Sequence, residues 1–228
     1  MSFLAQSAAA NPWFSWAYLH ANADTIRALA IEHLSFTVEA VALAVVVGVP
    51  LAVLAYWVRP LTGPILASAG VLYTIPSLAL FAFLAPFLGT DRRTVLLGLV
   101  LYALLLIIRN TLTGLSQVPA DVKEAASAMG YGRLRSLLRV ELPLALPGLL
   151  TGVRLATVST VALVTVGVLV GKGGFGQLII GGFRNNYHKA EILTGAILCV
   201  CLAVVLDLLL VGLGRMLTPW RRSSGGRA

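Results

Sequence analysis

The sequence predicts an all-α membrane protein with about five transmembrane helices, and three observations predict it. The first is composition: 58% of the 228 residues are hydrophobic and only 11% charged, with a mean hydropathy of +0.91. Soluble domains carry about 25% charged residues. The second is the length of the apolar runs, since a helix needs about 20 mostly apolar residues to cross a bilayer. The third is one charged, helix-forming interruption, "PADVKEAASAMGYGRLRSLLRVELP" at 119–143, framed by Pro119 and Pro143.

Five stretches are long and apolar enough to span: 34–58, 64–88, 94–114, 148–170 and 191–214. Five crossings put the two termini on opposite sides, and the positive-inside bias selects the orientation. With the N-terminus outside, 11 of the 17 basic residues face the cytoplasm or its boundary. They are Arg59, Arg109, Lys123, Arg133, Arg135, Arg139, Arg154, Arg215, Arg221, Arg222 and Arg227. The charged interruption is then cytoplasmic. The net charge of +8 is explained by this asymmetry and not by nucleic-acid binding.

Ahead of the first span, residues 1–25 lack the basic start and sustained apolar core of a cleavable signal. Trp13, Phe14, Trp16 and Tyr18 point to an aromatic segment at the membrane surface or to a packed cap. This divides the chain into an N-terminal extracytoplasmic or interfacial segment (1–30), a membrane domain (31–215) and a flexible basic cytoplasmic tail (216–228).

Within the second span, "YTIPSLAL" at 73–80 places Pro76 near the middle. Proline removes a backbone donor there and frees a carbonyl. Tyr73, Thr74, Pro76 and Ser77, with Asn110 of the third span, are the candidate pathway residues; ordinary helix packing is the alternative. For a compact cation, the faces of Tyr73, Phe81, Phe83 and Tyr102 are candidates.

Charges inside spans are costly in lipid. Asp207 in the fifth span, with Arg154 and Arg109 nearby, is expected to form a structural ion pair or interhelical hydrogen bond. Glu39 is expected to reach water. Cys199 and Cys201 point roughly 200° apart on a helix, which suits burial and not a shared metal. His20, His33 and His188 show no metal spacing, and no Ser/His/Asp arrangement is visible. "GVLVGKG" at 167–173 fails as a phosphate loop: the glycine spacing is one residue short and Lys172 is followed by Gly173.

The charged interruption is predicted to fold as two short helices. Asp121 suits the first turn of one, and Ala125, Ala126 and Ala128 favour its continuation. Gly130 and Gly132 permit a turn. A second short helix follows, with Leu134, Leu137 and Leu138 on one face and Arg133, Arg135 and Arg139 on the other, ending at Pro143. Small alanines beside an acid suit docking into a groove; a solvated loop is the plainer alternative.

This passage resembles the EAA signature of ABC-importer membrane subunits: E-A-A, three residues, G, nine residues, then an apolar residue and L-P. Glu124, Ala125, Ala126 and Gly130 match its start. Val140 fills the apolar position, and Glu141 stands before Leu142-Pro143. The resemblance implies a MetI-like permease fold in which 119–143 is the coupling-helix elbow that docks on a cytoplasmic ABC ATPase. Glu124 would be the charged anchor, Ala125 and Ala126 the close-contact face and Gly130 the turn. "TIPSLALFAFLAP", "LYALLLIIRNTLTGL", "GKGGFGQLIIGG" and "EILTGAI…LDLLL" are similar to permeases for osmoprotectants such as glycine betaine, choline, carnitine and proline betaine. That family implies a multi-pass inner-membrane subunit with no cofactor and no metal of its own. A partner hydrolyses ATP, an extracytoplasmic binding protein delivers substrate, and a second permease subunit, identical or homologous, completes the pathway. Permeases for another small solute (an amino acid or methionine) and secondary transporters are the alternatives.

Overall fold

The computed structural model describes residues 11–219. Within them every regular element is helical. A short helix α1 (Trp16–Ala21) precedes α2 (Ala23–Trp57), α3 (Arg59–Thr74), α4 (Ser77–Leu88) and α5 (Arg92–Ser116). The elbow helix α6 (Ala120–Ala128) follows, then α7 (Arg133–Ser136), a π turn (Leu137–Glu141) and α8 (Leu142–Val164). A 3₁₀ segment (Thr165–Val170), α9 (Gly176–Arg184) and α10 (Lys189–Leu217) complete the order.

Four helical stretches are long and apolar enough to cross a membrane: α2, α5, the continuous run Arg133–Val170, and α10. The pair α3–α4 supplies a fifth crossing if the two are counted together. These helices are apolar around most of their circumference, which is the pattern of lipid-embedded helices. α10, for example, exposes Val200, Val204, Leu208 and Leu209.

The second predicted span is not one helix. It breaks at Ile75–Pro76, where Pro76 takes φ −55° and ψ 132° and starts α4. The proline ring disfavours helical geometry in the residue before it, so α3 ends at Thr74. The second elbow helix also differs from expectation. It does not end at Pro143 but runs on into the fourth span. At Leu142 the N–H donates five residues back, to the Leu137 carbonyl. This wider turn leads the helix into Pro143, whose missing N–H then ends no element.

The described chain packs as two compact units, one from residues 11–40, 75–99 and 158–205, the other from 41–74, 100–157 and 206–219. In the first, His33 is fully buried. Its Nδ1 accepts from the Phe175 N–H at 3.2 Å, so Nε2 carries the proton and donates to the Val161 carbonyl at 3.0 Å. Neighbouring Glu32 accepts from the Gly174 N–H and the Gln177 amide, each at 3.0 Å, and stands 3.6 Å from Lys172 Nζ. The glycine-rich loop is therefore pinned to α2. Gly174, at φ +48°, has the His33 ring where a Cβ would lie. Glu39 is exposed, as expected, and Arg92 also meets it at 2.6 Å while lying over the Phe36 ring.

At the N-terminus of this unit, the Asn11 amide donates to the Tyr187 carbonyl and its oxygen accepts from the Lys189 N–H. Trp13, Phe14 and Trp16 are left exposed, with Lys189 over Trp13. Residues 1–10 and 220–228, which include most of the predicted basic tail, lie outside the described residues. Of the cysteines, Cys199 is half-buried, whereas Cys201 is exposed and not buried as expected.

In the second unit the α5–α8 contact is set by glycines. A Cβ on Gly148 would lie 2.8 Å from Gly114 Cα, and one on Gly152 would lie 2.9 Å from the Leu106 carbonyl. Small residues of this kind let two membrane helices approach closely.

Candidate functional site: the elbow and the helix break

The elbow begins at Pro119, whose carbonyl accepts the Lys123 N–H. Asp121 sits in the first turn of α6, where a negative charge opposes the partial positive charge of the helix N-terminus. The helix closes with two bonds: the Tyr131 N–H returns to the Ala126 carbonyl at 3.1 Å and the Gly130 N–H to Ser127 at 2.9 Å. This is the Schellman closure, which needs a left-handed residue one past the cap. Gly130 supplies it, at φ +78°. Gly132 has φ −66° and imposes no such demand.

Glu124 and Ala125 are exposed on α6, but Ala126 is buried at 1%. Ala126 therefore faces the chain's own interior and does not belong to an outward contact face. The leucines of the following segment divide in the same way. Leu137 is buried, while Leu134 and Leu138 are 59% and 56% exposed. The three leucines do not share the single buried apolar face expected of them.

Behind the elbow lies a polar cluster that sequence inspection did not find. Glu141 is buried at 7%. Its Oε2 accepts from the Tyr56 hydroxyl at 2.7 Å and its Oε1 from the Ser136 hydroxyl at 3.0 Å. Lys123 Nζ lies 5.2 Å above the Tyr56 ring. Arg133 lies over the Trp57 ring and donates to the Trp57 carbonyl at 2.9 Å. Around these groups an open cleft of about 890 Å³ is lined by residues that include Arg59, Thr62, Ser116 and Lys123. The one available signal was an acid immediately before Leu-Pro at the start of an apolar run; its partner on α2 is 85 residues away.

At the helix break, Tyr73, Thr74 and Pro76 are exposed and Ser77 half-buried. The Thr74 hydroxyl donates back to Val71. Tyr73 meets Tyr102 edge to face at 5.7 Å. The Asn110 amide donates to the Leu106 carbonyl, and its Cβ lies where Gly152 has no side chain. Phe81 fills the core against Gly98, so its face is not free, whereas Phe83 is exposed and pairs with Phe87. Arg154 and Asp207 form the expected pair; Arg109 does not join it and is exposed. Among the described residues no group of three or more metal-ligating side chains comes together.

Four helical crossings, or five with the bent pair, interrupted by one charged elbow, define a polytopic membrane component. The family model described as "Binding-protein-dependent transport system inner membrane component" matches residues 40–223. The chain belongs to that family. It is 39% identical over 194 residues, covering 85% of each chain, to the glycine betaine/carnitine/choline transport system permease protein OpuCD of Bacillus subtilis. It is 36% identical over 207 residues, covering 89% of this chain and 96% of the other, to the osmoprotectant import permease protein OsmW of Salmonella typhimurium. Among solved structures it resembles a chain of the MetNI methionine ABC transporter in an inward-facing conformation. The TM-score is 0.77 and the identity 26%, over 83% of this chain and 94% of that one. The chain is thus an ABC permease subunit, a membrane transport component and not an enzyme, and it works with an ATPase partner.

Proposed function

We propose that the chain forms part of an import pathway for osmoprotectants, small solutes such as glycine betaine, choline, carnitine or proline betaine. The observation that carries the substrate class is the relatives: three permeases at 36–39% identity are named for glycine betaine, carnitine, choline or osmoprotectant transport. The exposed Tyr73 face is compatible with such cargo, because aromatic rings attract quaternary ammonium groups. A methionine-type substrate is the second reading, favoured by the fold likeness to the methionine transporter chain.

In this proposal the N-terminus is outside and the C-terminus cytoplasmic. Residues 1–30 form an extracytoplasmic or interfacial segment, 31–215 the permease domain and 216–228 a basic tail. Glu124 and Ala125 on α6 meet a groove of the ATPase, and Gly130 sets the angle at which α6 is presented. A separate binding protein delivers substrate from outside, and a second permease subunit, identical or homologous, completes the pathway. Tyr73, Thr74, Pro76 and Ser77 line it, with Asn110 contributing at the α5–α8 crossing. Closure of the ATPases drives the elbows as levers between two access states, biased by different contacts in each.

The test is reconstitution of this chain with its ATPase and binding protein in lipid vesicles. Glycine betaine, choline or carnitine is expected to stimulate ATP hydrolysis and enter the vesicles, and methionine is not. Stimulation by methionine alone would replace the substrate class while leaving the family intact.

A further inference from the structure

A buried carboxylate with no cation on it is costly unless hydrogen bonds hold it. Glu141 is such a group: 7% exposed, held by two hydroxyls, and without an ion pair among the described residues. The backbone is shaped around it. On an α-helix at 3.6 residues per turn, Ser136 and Glu141, five apart, would point about 140° away from each other. The π turn over Leu137–Glu141 widens the spiral and lets both side chains meet. Insertions of this kind are frequent at functional positions.

The cluster links two elements distant in the sequence. Tyr56 is in the last turn of α2; Ser136 and Glu141 are on the segment leaving the elbow. Two further contacts repeat the link: Lys123 of α6 over Tyr56, and Arg133 of α7 bonded to the Trp57 carbonyl. Beneath them, Leu115, Val118, Leu137 and Ala145 form a closed apolar core against which Tyr56 and Trp57 pack. The bonds add direction: they fix the rotation of the elbow about the end of α2.

We propose that Glu141 is a positioning residue that, through Tyr56 and Ser136, locks the elbow to the end of α2, so that displacement of the elbow by the ATPase is transmitted to the first span. This rests on the elbow being the ATPase contact. In this role Glu141 acts through Tyr56 and Ser136 and not by contact with ATPase or substrate.

The test uses the full transporter in vesicles and reads three quantities: co-purification of the ATPase, ATP hydrolysis, and substrate moved per ATP. Glu141→Ala and Tyr56→Phe are each expected to retain the ATPase and its hydrolysis while lowering substrate moved per ATP by roughly three- to tenfold, at the lower end of contact-pair couplings. The double variant is expected to be no worse than the stronger single one. Tyr56→Phe keeps the ring under Lys123 and removes one hydroxyl, so it still tests the lock if Glu141→Ala fails to fold. Glu141→Gln, which keeps an acceptor, is expected to recover part of the ratio. An unchanged ratio in Tyr56→Phe with assembly intact overturns the proposal. So does a loss that follows ATPase co-purification, since that would make the cluster a matter of docking or folding. Failure of the elbow reading itself shows differently: Glu124→Lys would then leave ATPase binding unaltered.

Discussion

Arg154 and Asp207 face each other through two parallel hydrogen bonds of 2.9 Å, Nε to Oδ1 and Nη2 to Oδ2. One comes from α8 and one from α10, both within membrane-spanning helices. The planar guanidinium matches the carboxylate fork, so geometry as well as charge is specified. In lipid neither charge is tolerated alone. Arg154→Gln or Asp207→Asn is expected to lower the yield of folded permease and its thermal midpoint in detergent. The exchange Arg154→Asp with Asp207→Arg should restore most of both. Singles as stable as the parent would show that the pair holds nothing.

The α5–α8 crossing depends on absent side chains. A methyl on Gly148 would enter the Gly114 backbone at 2.8 Å. Gly148→Ala is expected to destabilise the purified chain by about 1–3 kcal/mol through overpacking. Gly63→Ala, where nothing lies within 4 Å, should be neutral or slightly stabilising. Thermal unfolding of the two variants side by side checks the difference.

The break at Pro76 is a property of one residue. Pro76→Ala restores the backbone donor and removes the restriction on Ile75. α3 and α4 are then free to join into one helix. Uptake is expected to fall severalfold while membrane insertion is unchanged. Full uptake in this variant would mean the break has no part in transport.

Tyr18, ahead of the spans, has its phenol pushed from 10.0 up to about 12, first by burial and then by the charge of Glu191. A raised pKa favours the protonated form in the fold. Its contribution to packing is complete below pH 10 and lost as pH rises through about 12. An ultraviolet titration of the parent against Tyr18→Phe should show the missing phenolate forming near the top of that window. Formation near pH 10 would show that Tyr18 is freely solvated.

Hydropathy alone located four of the five predicted spans as membrane-length helices, because apolar length is a local property; the second is a broken pair. Where the sequence was silent, the deciding contact was remote. Glu141 reads as one more charge in a basic passage; besides nearby Ser136, the group that holds it in its buried place is the Tyr56 hydroxyl, 85 residues earlier. Glu39 reaches water as its place in the sequence suggests, but its partner Arg92, 2.6 Å away on α5, is 53 residues on. The elbow's second helix runs past its expected end for a local reason. Pro143 reads as a stop signal, and a π turn that carries a helix into a proline leaves no mark in composition. For Ala126 the alanine run gave the helix but not its facing, which depends on the core beneath it.

In the proposed function, exposed α6 residues are where another chain's ATP hydrolysis acts on this one. The most direct measurement is cross-linking from Ala125→Cys, in a chain with Cys199 and Cys201 replaced, to single cysteines placed around the groove of the partner ATPase. A bond that forms readily, changes in yield with nucleotide, and disappears when Glu124→Lys is added is the predicted result. Failure to reach the ATPase from Ala125, while a cysteine at the exposed end of α10 reaches it, would contradict the account.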